Sequence, residues 1–409
     1  MLSVVKKLIK KHSWVFKSLK LVLLYVRFIK GIFKRDRYAT CPHKEYRAFE
    51  EIKENGYHCF FGYYDKSPIS PDNTNVLFLR VKDNDIDSMA EVCVRSLMTK
   101  ETRVIGKTNA WNWQQASMMQ WIDNDIVVYN RVSNDQSDYC SVQVNINNME
   151  ENIYPRASYS YKRNFSKYLS LNFYRLDLYA KGYGYSYNFD SLENDKDGIW
   201  EIDCESKQSK LILSLKTIMN FESKDYWGCQ HYVNHVAYCP NEQFIIFIHR
   251  WQVAGGEFSS RLLKYDTING KMVPLLDNGH VSHYCWKSPS ELFIYATDSF
   301  NRKGYMIVNI DTLKVEMANG LPEEDGHPTY SSDGTFVLTD SYPDNVRKQY
   351  LFIYDTKNEK LYKLDSLWNP FRYFNENRCD LHPRLSFDQK SVICDSTHSG
   401  LRSLRIYHL

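Results

Sequence analysis

The sequence predicts an all-β protein, a seven-bladed β-propeller preceded by a basic amphipathic helix. Polar turns recur seven times through the body, and each is followed by an apolar run. Each run leads into a hairpin with an Asp- or Asn-rich turn, so the strands fall into groups of four at a period of about 40–55 residues. Short strands in groups of four at this period are typical of propeller blades.

The N-terminal segment, residues 1–37, carries eleven Lys and Arg and one acid, whereas the rest of the chain is acidic. Its longest uncharged run spans residues 21–26, and a membrane-spanning helix needs about 20 apolar residues. We therefore expect a helix that lies on an anionic membrane surface. Docking on a partner or on the body is the alternative. The acidic body argues against nucleic acid as a partner.

The compartment follows from the same features. The ten cysteines form no CxxC pair, which favours reduced thiols over a disulfide framework. We expect a cytoplasmic protein held peripherally on the inner membrane, with export as the alternative.

Seven turns define the blades within residues 57–409, and residues 38–56 are expected to be a linker. The turns lie at residues 70–73, 123–125, 163–166, 240–243, 287–291, 331–334 and 386–389. The final apolar segment, 403–409, has no hairpin after it. We expect it to close the ring by pairing near residues 57–65.

Histidine occurs at one register in four consecutive blades, six residues before the turn. These residues are His235, His283, His327 and His382. The first strand of each blade lines the central channel, so equal register predicts that the four imidazoles converge there. Such a cluster could hold zinc or manganese. Each histidine could instead be a hydrogen-bonded core residue of its own blade.

Arginine occurs near the end of the second strand in the first four blades, at Arg80, Arg131, Arg175 and Arg250. A pocket with guanidinium groups on one side and imidazoles on the other suits an anionic ligand, because Arg binds carboxylates through two parallel hydrogen bonds.

Several motifs together resemble the seven-bladed propeller polysaccharide lyases, namely the oligogalacturonate and ulvan lyases and related proteins of bacterial capsule and surface-polysaccharide loci. The motifs are "FFGYYDKSP" (60–68), "WNWQQ" (111–115), "SLNFYRL" (170–176), "GYGY" (182–185), "HRW" (249–251), "SHYCW" (282–286), "DGHP" (325–328), "TDSYPD" (339–344) and "RCDLHPR" (378–384). The resemblance covers about residues 57–409.

The resemblance implies β-elimination beside a uronate carboxylate, with Tyr159 and Arg175 matching the catalytic Tyr and Arg of the family. His283, His327 and His382 match regions that supply metal ligands, and we add His235 by register. The predicted substrate-binding residues are Gln114, Gln115, Asn130, Arg131, His231, Arg250 and Arg378. The chain departs from the ulvan-type enzymes at Gln114, Gln115 and Asn130, where those enzymes carry histidines. An amide cannot act as a general base.

Two functions therefore remain open. The first is a lyase-like enzyme acting on an acidic, uronate-containing oligo- or polysaccharide. The second is a non-catalytic glycan-binding or scaffold protein, or a glycosyltransferase-associated factor, in capsular or surface-polysaccharide biosynthesis. The chain has no Gly-rich phosphate loop that would indicate a nucleotide-sugar enzyme.

Overall fold

The computed structural model describes residues 13–32, 38–42, 48–85, 89–222, 229–253 and 258–409. Within them, seven four-stranded antiparallel sheets form a seven-bladed β-propeller, so the predicted fold class is confirmed. Residues 1–12 and 33–37 of the predicted helical segment lie outside the described residues, as do residues 43–47 of the predicted linker.

The strands are numbered in chain order from β1 (Ala48–Ile52), and each of blades 1 to 6 takes four consecutive strands. Blade 1 contains β2 (Tyr57–Phe60), β3 (Asn75–Lys82), β4 (Ala90–Ser96) and β5 (Thr102–Thr108). Blade 2 contains β6 (Gln120–Trp121), β7 (Ile126–Val132), β8 (Tyr139–Asn145) and β9 (Glu151–Pro155). Blade 3 contains β10 (Ser160–Tyr161), β11 (Lys167–Ser170), β12 (Gly198–Asp203) and β13 (Ser209–Ser214).

The remaining blades follow the same plan. Blade 4 contains β14 (Cys229–Tyr238), β15 (Phe244–Val253), β16 (Phe258–Asp266) and β17 (Met272–Leu276). Blade 5 contains β18 (Val281–Ser288), β19 (Glu291–Thr297), β20 (Lys303–Asn309) and β21 (Val315–Met317). Blade 6 contains β22 (Thr329–Tyr330), β23 (Phe336–Asp340), β24 (Lys348–Asp355) and β25 (Lys360–Trp368). Blade 7 contains β26 (Arg384–Leu385), β27 (Ser391–Ser396), β28 (Ser403–His408) and β1.

The seven turns predicted from the sequence each join the first and second strands of one blade. The apolar runs that follow them are the second strands, which are buried on both faces because neighbouring blades pack against each side. In β15, for example, residues 245–248 are all fully buried. A strand covered on both faces has a continuous apolar run rather than an alternating pattern, which explains the regularity of the sequence signal.

Ring closure differs from the expectation. β28 pairs with β27 on one edge and with β1 on the other, with Glu50 opposite Ile406 and Ile52 opposite Leu404. The prediction that residues 403–409 pair near 57–65 is therefore wrong, because β2 belongs to blade 1. β1 lies in the segment expected to be a linker. A five-residue edge strand with two adjacent glutamates has too short a pattern to be recognised from periodicity.

Helix α1 (Ser13–Gly31) precedes the propeller and packs on the connection between blades 6 and 7. The ring of Tyr25 stacks on Phe371 at 4.2 Å between centroids, Phe28 meets the same ring edge-on at 5.3 Å, and Lys20 donates a hydrogen bond to Asn375. These contacts agree with the alternative that the helix docks on the body. No helix among the described residues is long and apolar enough to span a bilayer.

Two further helices lie in the long insertions around blade 3. Helix α2 (Phe173–Tyr179) follows β11, and its N-cap is Asn172, whose side chain accepts a hydrogen bond from the Arg175 backbone N–H. Helix α3 (Leu215–Asn220) follows β13 and is capped in the same way by Ser214. Such caps satisfy backbone donors that a helix leaves free at its first turn.

Candidate functional site

The four register-matched histidines lie side by side in the central channel. The centroid of the His235 ring is 5.5 Å from that of His283, which is 4.1 Å from that of His327, which is 4.2 Å from that of His382. The ring of Tyr63 lies among them, with its centroid 5.2–6.5 Å from all four. The histidines are only 1–6% exposed, so they form one buried cluster.

Two of these histidines occupy strained backbone positions. His235 has φ 50° within a bulge of β14, and His382 has φ 48°. Left-handed backbone at a non-glycine residue costs roughly 1–3 kcal/mol and persists only where neighbours enforce it. Here the His235 N–H donates to the Tyr159 hydroxyl at 3.0 Å, and the His382 N–H donates to Asp340 at 3.0 Å. The fold therefore holds both rings at the channel axis against a local preference.

A candidate metal centre is formed by His327, His382 and Asp380, one ligand atom of each lying within 4.8 Å of the others. Nδ1 of His327 donates to Asp340 at 2.9 Å, and Nδ1 of His382 donates to the Gly62 carbonyl at 2.6 Å. Those acceptors place the proton of each neutral ring on Nδ1, which leaves Nε2 as a lone-pair ligand.

The remaining ligand atoms of this trio have no hydrogen-bond partner among the residues that the structure describes. Nε2 of His327, Nε2 of His382 and Oδ1 of Asp380 are buried without a hydrogen bond among the described residues, while Oδ2 of Asp380 accepts from Arg378 at 2.9 Å. Buried polar atoms are rarely left unpaired. Two imidazoles and a carboxylate, oriented by outer hydrogen bonds, are a donor set that suits a divalent cation such as manganese or zinc.

His283 lies beside this trio rather than within it. Its Nδ1 contacts the carboxylate of Asp325 at 3.2 Å, and Ser282 also donates to Asp325 at 2.6 Å. Burial lowers the pKa of His283, although Asp325 acts in the opposite direction. A neutral imidazole whose Nδ1–H is held by a carboxylate presents Nε2 as a proton acceptor, the arrangement of a general base.

The pKa values of the cluster histidines shift in different directions. Burial and neighbouring positive charge hold the pKa values of His235 and His382 well below the usual range. The pKa of His327 is raised instead, because Asp340 outweighs the opposing effect of burial. The cluster therefore includes neutral imidazoles suited to metal or proton binding at neutral pH.

Tyr159 lies next to the cluster but not next to Arg175. Its hydroxyl oxygen accepts hydrogen bonds from the His235 N–H and from Nε2 of Gln115 at 3.2 Å. Burial raises the pKa of Tyr159, so the hydroxyl stays protonated at neutral pH. No acceptor for its hydrogen is found among the described residues. The roles implied for Tyr159 and Gln115 stay predictions.

The guanidinium of Arg175 is already used within the fold. It forms a buried ion pair with Asp197 and donates to the carbonyls of Leu192, at 2.6 Å, and His231, at 3.3 Å. These contacts fasten α2 and its insertion to β14. In the part of the chain that the structure describes, no contact joins Arg175 to Tyr159, so the structure does not bring the implied catalytic pair together.

Two predicted arginines do lie at one mouth of the channel. Arg378 donates to the Tyr183 hydroxyl at 2.8 Å and remains 29% exposed, and Arg250 donates to Asn234 at 3.2 Å. The ring of Tyr342 lies 5.9 Å from that of His327. This mouth, where the first strands begin, is the side expected from the sequence to receive an anion.

The other predicted binding residues have partners within the fold. Asn130 is fully buried and bridges blades 2 and 3 through both backbone polar groups of Ser158, whereas Arg131 pairs with Glu151 at 2.9 Å. His231 shares a hydrogen bond with His249 at 3.0 Å. Gln114 donates to the Arg378 carbonyl at 2.8 Å and therefore helps to position the backbone of Arg378 at the mouth of the channel.

Sequence reasoning missed the two acids of the site. Asp325 and Asp380 each stand two residues before a cluster histidine, in "DGHP" and "DLHP". This repeated Asp-x-His-Pro spacing was the available signal, since it places an acid at the same distance before two of the cluster histidines. Tyr63, Tyr183 and Tyr342 were also within quoted motifs without an assigned role.

Comparison with solved structures identifies proteins whose fold is similar to that of this chain. An oligogalacturonate lyase in complex with manganese superposes with a TM-score of 0.64 at 14% identity, covering 89% of this chain and 96% of that one. The fold resembles that of the oligogalacturonate lyases. The enzyme from Vibrio parahaemolyticus gives a TM-score of 0.63 with the same identity and coverage.

More distant propellers are also similar. The β-propeller domain of the Trilobed protease from Pyrococcus furiosus gives a TM-score of 0.51 at 12% identity, covering 86% of this chain and 95% of that one. No protein-family model matches the chain, and no curated protein matches it. At these identities the likeness establishes the fold alone.

Proposed function

We propose that the protein cleaves a uronate-containing oligosaccharide by metal-assisted β-elimination. The observation that carries this proposal is the trio of unpartnered ligand atoms on His327, His382 and Asp380 beside the His283–Asp325 pair. The fold of the manganese-bound oligogalacturonate lyase supports it, because that protein places comparable chemistry on a similar propeller.

The chemistry requires positive charge near the sugar carboxylate, since removal of the C5 proton leaves charge delocalised onto it. A divalent cation held by His327, His382 and Asp380 would supply that charge. Arg250 and Arg378 lie at the mouth of the channel where the first strands begin, and they would bind the uronate carboxylate.

Proton removal is assigned to His283. Its Nε2 takes the C5 proton, the C5–H electrons form the C4–C5 double bond, and the C4–O bond breaks. The leaving C4 oxygen takes the hydroxyl proton of Tyr159. Because burial raises the pKa of Tyr159, the hydroxyl keeps its proton at neutral pH and can donate it, whereas the base role implied by the resemblance would need the ionised form.

The His283→Gln variant is expected to lose elimination activity by about 100-fold or more, because an amide cannot accept the proton. Manganese affinity should change little, since His283 lies outside the trio. Activity is measured from the ultraviolet absorbance of the unsaturated product on a panel of uronate oligosaccharides. Full activity in this variant with loss in Tyr159→Phe would return the base role to Tyr159.

The alternative function is a non-catalytic glycan-binding or scaffold protein of surface-polysaccharide biosynthesis. It predicts that the wild-type protein binds acidic oligosaccharides in the presence of manganese without forming unsaturated product. The same panel therefore separates the two functions, because binding and product are measured on one sample.

We also propose that α1 attaches the protein to an anionic membrane surface, on the cytoplasmic side of the inner membrane. The helix carries an apolar stripe on the side away from Phe371, at Leu19, Val22, Leu23, Val26 and Ile29, which are 42–61% exposed. An apolar stripe beside basic residues is the pattern of an interfacial helix.

The double variant Leu23→Glu/Ile29→Glu is expected to lower binding to vesicles containing phosphatidylglycerol by tenfold or more, in a flotation assay. Ile268→Glu, which changes an exposed apolar residue in blade 4, is the matched control and should bind as wild type. Equal binding of all three proteins, or none by wild type, would contradict the membrane role.

A further inference from the structure

A cavity opens at the opposite mouth of the channel, where the first strands end in their turns. Its volume is about 460 Å³. Blades 1, 3, 4, 5 and 6 contribute to it through Asp65, Tyr161, Glu242, Trp286 and Tyr330, among others. The volume falls within the range of about 300–1,000 Å³ usual for ligand pockets.

This turn-side cavity is separated from the candidate metal centre. Tyr63 and Tyr64 line the cavity and also contact His327 and His382, with ring centroids 5.2–6.5 Å apart. None of His327, His382 and Asp380 lines the cavity. A ligand bound there would be held apart from His327, His382 and Asp380 by the two tyrosine rings, although Tyr159 also lines the cavity.

Aromatic rings fixed by hydrogen bonds form the walls. The hydroxyl of Tyr284 donates to the His235 carbonyl at 2.6 Å, and that of Tyr161 shares a hydrogen bond with Ser141 at 2.8 Å. Trp286 and Tyr330 are half-buried, and Nε1 of Trp286 and the hydroxyl of Tyr330 have no hydrogen bond among the described residues. Rigid rings with free polar edges suit a ligand that has apolar faces and hydroxyl groups, as a sugar does.

Charge at the rim is uneven. Lys66 pairs with Asp65 at 2.7 Å, and Lys162 lies 3.9 Å from Glu242. The guanidinium of Arg163 has no hydrogen bond or ion pair within the described part of the chain. The Arg163 backbone N–H donates to Glu242 at 2.6 Å, and the guanidinium stays exposed at the edge of the aromatic walls, where it can bind a carboxylate.

The cavity continues into a second one of about 200 Å³. The two share Asp65, Ser160, Tyr161 and Arg163, and the smaller one also reaches Phe165. An elongated site with its free cation at the junction fits a short chain of sugar units with an acidic substituent at that point. The lining contains no glycine-rich loop or helix N-terminus of the kind that holds phosphates.

We propose that the turn-side mouth is a second, non-catalytic binding site for an acidic oligosaccharide, with Trp286 and Tyr330 against the sugar rings and Arg163 on a carboxylate. The ligand class rests on the proposed function. The site itself does not, because Trp286, Tyr330 and Arg163 take no part in the metal trio or in the proton transfers assigned to His283 and Tyr159. It would hold one part of a glycan on the propeller independently of the centre at the other mouth.

The test is calorimetric titration of the full chain with an α-1,4-galacturonate hexamer and with a glucuronate-containing hexamer, in EDTA so that no metal contributes. Arg163→Gln and Trp286→Ala are expected to weaken binding of at least one hexamer by tenfold or more. Arg302→Gln, which changes an exposed arginine outside the cavity lining, is the control and should bind like wild type. Because no turnover is measured, failure of the elimination assay leaves this result unaffected.

Three outcomes would overturn the proposal. The first is that neither hexamer shows binding that depends on Arg163 and Trp286. The second is that binding is lost in Arg378→Gln and kept in Arg163→Gln, which would place the glycan at the other mouth. The third is that ATP, titrated in parallel, binds in an Arg163-dependent manner while the hexamers do not, which would identify a nucleotide site.

Discussion

The Asp380→Asn variant is expected to bind manganese more than about 100-fold more weakly than wild type, with the fold retained. The substitution keeps the shape of the side chain but removes the negative charge that faces Nε2 of His327 and His382. Loss of an outer hydrogen bond alone costs roughly 10–100-fold in metal affinity, so loss of a ligand charge should cost more.

The measurement is titration of the metal-free protein with manganese, followed by calorimetry. Asp388→Asn is the control, because Asp388 lies in the exposed turn of the same blade, where it accepts a hydrogen bond from Ser386. Wild-type affinity in Asp380→Asn would show that this carboxylate is not a ligand.

The second large effect is expected at Asp340, which holds two blades and one ring together. Its buried carboxylate accepts from the His327 N–H at 2.8 Å, from Nδ1 of His327 and from the His382 N–H. Asp340→Ala leaves these buried donors unpaired, so the free energy of unfolding should fall by about 3–5 kcal/mol.

Unfolding of the metal-free protein in urea measures this change. Asp333→Ala, in the exposed turn of blade 6, is the control and should cost less than about 1 kcal/mol. A small effect in Asp340→Ala would mean that the blades align their histidines without this carboxylate. Manganese affinity of the variant should also fall by roughly 10–100-fold, because His327 loses its orienting partner.

The fold could be predicted because each blade repeats the same physical constraint. Second strands such as β15 are covered on both faces, so their apolar runs are long and the polar turns before them are conspicuous. Closure of the ring by β1 could not be predicted in this way, since one short edge strand has no repeat to reveal it.

The histidine cluster was predictable for the same reason. Equal distance from equivalent turns places His235, His283, His327 and His382 at one level of the channel. Which groups surround them depends on side chains from other blades and insertions. Arg175 forms an ion pair with Asp197, which lies 22 residues later in an irregular segment. No periodic pattern in the sequence indicates this pair.

The acids of the site could be predicted only in part. Asp325 and Asp380 were visible as a repeated Asp-x-His-Pro spacing, but their roles differ. Asp325 contacts the ring of His283 in the preceding blade, whereas Asp380 faces His327 and His382. Only the packing of neighbouring blades determines which histidine an acid reaches.

The central claim is that neighbouring blades build one metal centre from His327, His382 and Asp380. Pulsed electron paramagnetic resonance of the manganese-loaded protein tests it most directly, because the coupling of manganese to ligand nitrogens counts the bound imidazoles. Two histidine nitrogens are expected in the wild type and one in His382→Gln. Manganese that shows no nitrogen coupling, or coupling unchanged in both His382→Gln and His327→Gln, would contradict the claim.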